Sequence, residues 1–366
     1  MNHGTFPVFD GHNDVLTRLW LSDYNNPAQA FIQEGLAGHL DLKRCQQAGF
    51  VGGMFAIFLP PFHYVKQHHP NKLFDQDASD FTQQQIEHIC LAQLDLAKQL
   101  AEYSNDIQIC TTVQDIQHCL TQQKLAIVLH MEGAEALQHN PDLLDVFYDA
   151  GLRSIGPLWN RPSRFGHGLN AKFPHSPDTG AGLTNEGKAF IKRCADKKMV
   201  IDVSHMNERA FWDTANILQQ PIVATHSNVH ALCPQARNLT DNQLKAIKDS
   251  KGIVGLNFDV AFLRKDGQRD ANTSIEVILE HLEYLIDQMG ENHVGFGSDF
   301  DGALISHEIE DVRGLHLLIE AMQKRHYSNE IIEKICFSNW LTVLNLSLIH
   351  ISEPTRHNLT SRMPSS

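Results

Sequence analysis

The stretch on which the fold turns is LAIVLHMEG, Leu125 to Gly133. Leu125 to Leu129 run without a polar break, and then His130, Glu132 and Gly133 end the run abruptly. An uninterrupted apolar run of this length suits a strand covered on both faces, as in a parallel sheet. The same rhythm recurs on either side: an apolar run, a polar or glycine stop, then a longer segment with helical period. The runs are Pro7–Asp14, Phe50–Leu59, Leu125–Gly133, Leu152–Trp159, Met199–His205, Pro221–Ser227, Gly252–Asp259 and His293–Gly302. Between the second and third, Ile86, Ile89, Cys90, Leu94, Ala97 and Leu100 form one helix face. Ile275, Ile278, Leu279, Leu282, Leu285 and Ile286 form another before the last. Thr184 stands where an N-cap belongs, ahead of Phe190, Ile191 and Cys194. Eight β-then-α units predict an α/β fold, a (β/α)8 TIM barrel, with a doubly wound open sheet as the competing arrangement. Two connections are long, Pro60–Ala78 and Asn160–Gly182. In a barrel both lie on the C-terminal face, where barrel active sites sit. No linker or repeat divides the chain, so residues 1–344 read as a single domain.

The 366 residues carry a formal net charge of −13, which argues against nucleic acid or an anionic membrane as partner. No apolar stretch of about 18 residues is present to span a membrane. Seven cysteines at wide spacings, with no CxxC, fit reduced thiols better than a disulfide framework. Met1 to Phe9 lacks the basic and apolar regions of a secretory leader, so a cytoplasmic location is expected. Histidine is the outlier of the composition, at 22 residues, and directs attention to metal binding.

Candidate ligands stand at the C-terminal ends of the apolar runs: His12 and Asp14, Glu132, His205, His226 and Asp299. Residues i and i+2 of a strand share a side, so His12 and Asp14 can aim at one centre. A lone strand-end histidine is ordinarily a packing residue; the ordered set HxD, E, H, H, D at five strand ends is a different matter. Imidazole and carboxylate together suit zinc, with manganese or cobalt as further candidates. Three histidines, one aspartate and one glutamate exceed the needs of one tetrahedral zinc, and two ions sharing a carboxylate would use them all. Asp299 is then left to move protons.

The segments FDGHNDVL, GGMFAIFLP, HMEGAEAL, LWNRPSRFGHG, VIDVSH, ATHSNVHALCPQARNLTD and HVGFGSDFDGA resemble the membrane dipeptidase (renal dipeptidase) family, peptidase M19, in its bacterial form. The resemblance runs from about Pro7 to about Leu344 and implies a metal-dependent hydrolase barrel of the amidohydrolase-like type. It implies a dinuclear zinc dipeptidase: His12 and Asp14 on one Zn2+, His205 and His226 on the other, and Glu132 bridging them together with a hydroxide. It further implies that Asp299 accepts and donates the proton, and that Arg237 grips the carboxylate of a dipeptide substrate with its guanidinium fork. Where mammalian members place a substrate-binding histidine, this chain has Trp159; His167, on the same loop, is the candidate to supply the imidazole. Members often pair, so a homodimer is the assembly the resemblance allows.

Two other functions compete. One is a related metal-dependent amidohydrolase acting on another small amide or lactam; the other is a silent barrel that only binds. The intact ligand set argues against the second. FSNWLTVL resembles the closing segment of the family, with Phe337 and Ser338 where two glycines are usual. Residues 345–366 match nothing expected, and SLIHISEPTR resembles a translated sequencing adapter, so this stretch reads as a disordered or artefactual tail.

Overall fold

The computed structural model describes residues 6–33, 37–169 and 172–348. Eight strands form the barrel: β1 (Val8–Asn13), β2 (Phe50–Phe58), β3 (Leu125–Glu132), β4 (Leu152–Gly156), β5 (Val200–Ile201), β6 (Val223–Ser227), β7 (Ile253–Leu256) and β8 (Val294–Phe296). Each falls within one of the apolar runs read from the sequence. Neighbours in the ring are neighbours in the chain, all parallel, and β1 pairs with both β2 and β8. The ring closes between β5 and β6 through a single parallel bridge, Asp202 to Val223. An additional strand, Ile107–Ile109, pairs in parallel with the N-terminal part of β3, and a small antiparallel ribbon joins Pro162–Ser163 to Gly166–His167.

The helices cover the barrel with the faces their sequences dictate. The helix Gln83–Tyr103 buries Ile86, Ile89, Cys90, Leu94, Ala97 and Leu100, and starts with a reciprocal cap between Thr82 and Gln85. Thr184 caps Asn185–Asp196 by accepting from the Gly187 amide. The helix Ile275–Met289 buries Ile278, Leu279, Leu282 and Leu285. The long connection after β2 is not structureless: it holds the helix Phe62–His68 and a short 3-10 turn, Pro70–Lys72.

The barrel floor is sealed from the C-terminal side of the chain. Trp340, on the helix Asn339–Leu348, is fully buried and donates its indole N–H to the Phe296 carbonyl at 2.9 Å. A Cβ at Gly11, Gly255 or Gly295 would lie 2.3, 3.0 or 2.4 Å from that indole, so three strand glycines make its socket. The helix runs past the Leu344 boundary to Leu348; the rest of the tail read from the sequence lies outside the described residues. All seven cysteines are buried and free. No helix among the described residues is long and apolar enough to cross a membrane.

Candidate metal centre

Parallel closure brings every strand end to one mouth, and the polar ends of five strands meet there. His12 and Asp14 come from the end of β1, Glu132 from β3, His205 from just beyond β5, His226 from β6 and Asp299 from just beyond β8. The first five are buried; Asp299 is half-buried. Their ligand atoms form three overlapping groups, each within 4.8 Å: His12–Asp14–Glu132, Glu132–His205–His226, and His12–His226–Asp299. Glu132 is common to two of them. Its Oε1 lies 2.8 Å from His205 Nε2, 3.3 Å from His226 Nε2 and 3.8 Å from His12 Nε2. His12 Nε2 is 3.3 Å from Asp14 Oδ2.

The chemistry of this set fits cations. Burial raises Glu132 well above the usual carboxylate range, only partly opposed by His12. Burial, with the charges of Arg237 and His12, pushes His205 and His226 well below the ordinary imidazole value, so both are neutral and have a lone pair to give. Burial would lower His12 as well, but the charge of Glu132 and the contact and charge of Asp14 raise it to about 10. The site therefore calls for positive charge beside Glu132 and Asp14. Both nitrogens of His12 and Asp14 Oδ1 are buried without a hydrogen-bond partner among the described residues.

Supporting groups surround the cluster. Asn257 donates to Asp299 Oδ2 at 2.9 Å, and Asp299 itself holds a left-handed φ of 59°. His205 Nδ1 is 2.9 Å from Asn160 Oδ1, and His226 Nδ1 is 2.8 Å from Thr225 Oγ1. The Asp202 carboxylate accepts from the amide and hydroxyl of both Ser204 and Thr225, stitching the thin seam between β5 and β6. Burial raises this carboxyl, but His130 and these bonds carry it below its ordinary value.

Arg237 is buried, with Nη1 on Ser227 Oγ at 2.8 Å, Nη2 on the His226 carbonyl at 2.7 Å, and Nη2 3.4 Å from His205 Nε2. Its Nε has no hydrogen-bond acceptor among the described residues. Trp159 is half-buried, its ring 6.0 Å from that of His205 and 5.0 Å from that of Phe58. His167 is exposed on the ribbon, near Gly180. Sequence reading passed over Asn160, Asp202, Thr225 and Asn257; their part depends on tertiary neighbours, and only the adjacency of Asn160 to Trp159 and of Thr225 to His226 pointed their way.

Comparison with known proteins agrees on one lineage. The family described as membrane dipeptidase (peptidase family M19) matches residues 3–350. An uncharacterized protein in the PQQ-III 3'region of Acinetobacter calcoaceticus is 81% identical over 283 residues, 77% of this chain and 90% of its own. Dipeptidase tcpJ of Claviceps purpurea is 28% identical over 343 residues, 92% of this chain and 76% of its own. A crystal structure of a metallo peptidase from Rhodobacter sphaeroides, liganded with a phosphinate mimic of the dipeptide L-Ala-D-Ala, is similar with a TM-score of 0.87. It is 42% identical, over 94% of this chain and 100% of that one.

Proposed function

The chain belongs to the membrane dipeptidase family, peptidase family M19, and is a metal-dependent hydrolase; from the site just described we propose that it is a dinuclear zinc dipeptidase. The observation that carries this reading is the gathering of three imidazoles and two carboxylates, all buried, in overlapping groups that share Glu132. His12 and Asp14 would hold one ion, His205 and His226 the other, and Glu132 both. Zinc held by these residues would supply Lewis acidity, polarising the scissile carbonyl and making a water acidic enough to attack it as hydroxide near neutral pH. Manganese or cobalt would fit the same donors.

The protein's own groups do the rest. Arg237, braced by Ser227 and the His226 carbonyl, offers its unused guanidinium N–H groups to the dipeptide's terminal carboxylate. Trp159 and Phe58 wall the cleft beside His205. Asp299, held by Asn257 and open to the mouth, takes the proton of the attacking water and passes it to the amine as the C–N bond breaks. No step is assigned to His167. The free, buried thiols accord with a reducing compartment, and we place the enzyme in the cytoplasm. A homodimer is the assembly we propose.

The test compares dipeptides, tripeptides, N-acyl amino acids and small lactams on zinc-loaded enzyme, with elemental analysis alongside. Cleavage confined to dipeptides, with two zinc ions per chain, is expected. Preference for a lactam or an N-acyl amino acid would move the protein to the related amidohydrolase activity.

A further inference from the structure

An imidazole gives its Nε2 lone pair to a cation only when the proton sits on Nδ1, and an acceptor at Nδ1 holds it there. His205 and His226 both have such an acceptor. Asn160 Oδ1 receives the proton of His205 Nδ1 at 2.9 Å. For His226 the acceptor is the Thr225 hydroxyl at 2.8 Å, whose own hydrogen is committed to Asp202 Oδ2 at 2.7 Å. A carboxylate can only accept, so the direction of the whole chain, Nδ1–H to hydroxyl to carboxylate, is fixed.

His12 differs. Neither of its nitrogens has a hydrogen-bond partner among the described residues. Its Nε2 faces Asp14 Oδ2 at 3.3 Å and Glu132 Oε1 at 3.8 Å, the acids meant for the ion, and the rest of the ring is held by stacking on His226, 3.8 Å between centroids and 26° between planes, and by an edge contact with His130 at 5.3 Å, with no acceptor on Nδ1. Asp14 Oδ1 is likewise without a partner. One half of the cluster is organised before an ion arrives; in the other an ion must displace the His12–Asp14 contact and orient a ring whose Nδ1 has no acceptor.

Building on the two-ion reading above, we infer that the two positions fill in order: the His205–His226 position binds first and tightly, and the His12–Asp14 position binds later and exchanges. Asn160 is the positioning residue that sets the gap. It acts from the long connection after β4, which is pressed onto the same segment by the Gly168–Met206 bridge and by the Leu169 amide on the His205 carbonyl. Being half-buried on a loop, Asn160 can be changed without opening the barrel seam, unlike Thr225 or Asp202.

The experiment titrates zinc into the metal-free full chain, by calorimetry and by competition with a chelating indicator. Wild type should show two resolved steps. Asn160→Ala should weaken the tighter step by about 10- to 100-fold and leave the weaker one in place, as expected when a ligand's partner is lost. Asn160→Asp, which keeps the acceptor, should restore it, and His12→Ala should delete the weaker step alone. Two ions entering in one indistinguishable step would overturn the order while sparing the two-ion reading, as would loss of the weaker step in Asn160→Ala. A single ion per chain at saturation would overturn the two-ion reading and the order with it.

Discussion

At the scale of single residues, Gly302 shows how little room the centre has. A Cβ there would lie 2.1 Å from Asp14 Oδ2 and 2.7 Å from Asp299 Oδ1. One methyl group would push apart the carboxylates assigned to ion binding and proton transfer. Gly302→Ala should therefore lower kcat/KM by about 100-fold, the cost of misplacing reacting groups by an ångström; steady-state kinetics at saturating zinc checks this. Asp299→Asn makes the complementary case. It keeps the shape and the Asn257 neighbour but removes the base, so turnover should fall by about 10²- to 10⁴-fold while zinc content stays unchanged. Wild-type turnover in that variant would remove Asp299 from the mechanism. The residues with donor chemistry were legible in the sequence because strand ends mark them. Gly302 was visible only as a turn residue, since its constraint comes from Asp14, just past a strand at the other end of the chain.

At the scale of elements, the helix Ile275–Met289 carries a buried histidine that takes no part in the centre. His281 accepts from the Val229 amide at 3.2 Å and reaches the Leu263 carbonyl at 2.9 Å. Burial pulls its value down to about 4, with the Leu263 bond partly opposing. The unfolded chain thus binds this proton at higher pH than the folded one. The stability it contributes is complete above about 6.5 and is lost as pH falls toward about 4. Asp10 and Asp259, raised by burial to about 6, act in the opposite sense over part of that window. The diagnostic quantity is therefore the difference between wild type and His281→Gln in urea unfolding: it should shrink steadily from pH 6.5 to 4. A constant difference would show that His281 is not the group responsible. Period and capping made the long helices and all eight strands readable in the sequence. The strand Ile107–Ile109 and the helix Phe62–His68 were not. The first is too short to show a pattern, and the second follows two prolines with no capping side chain.

At the scale of the whole molecule, the metal centre and the seam of the barrel are one construction. Asp202 ties β5 to β6 where the backbone ladder is reduced to a single bridge, and through Thr225 it also orients His226. Ions drawing His205 and His226 toward Glu132 pull the same two strands together. Zinc should therefore raise the melting temperature, each site contributing about 2.7 kcal/mol at a hundredfold excess over its Kd. Scanning calorimetry with and without a chelator measures it; identical melting curves would mean that the barrel closes unaided. The tertiary half of this arrangement left no trace in the sequence, because Asp202 and Thr225 reveal their partnership only once the strands lie side by side.

The tryptophan under the barrel has a consequence for biosynthesis. Position 340 is translated after the last of the eight strands, so a nascent chain can assemble its staves yet still lack the bung that stops the cask. Until that indole reaches the glycine socket, the lower lumen lies open to water. A released chain ended ahead of residue 340 should be protease-sensitive, and one carried through Leu348 resistant.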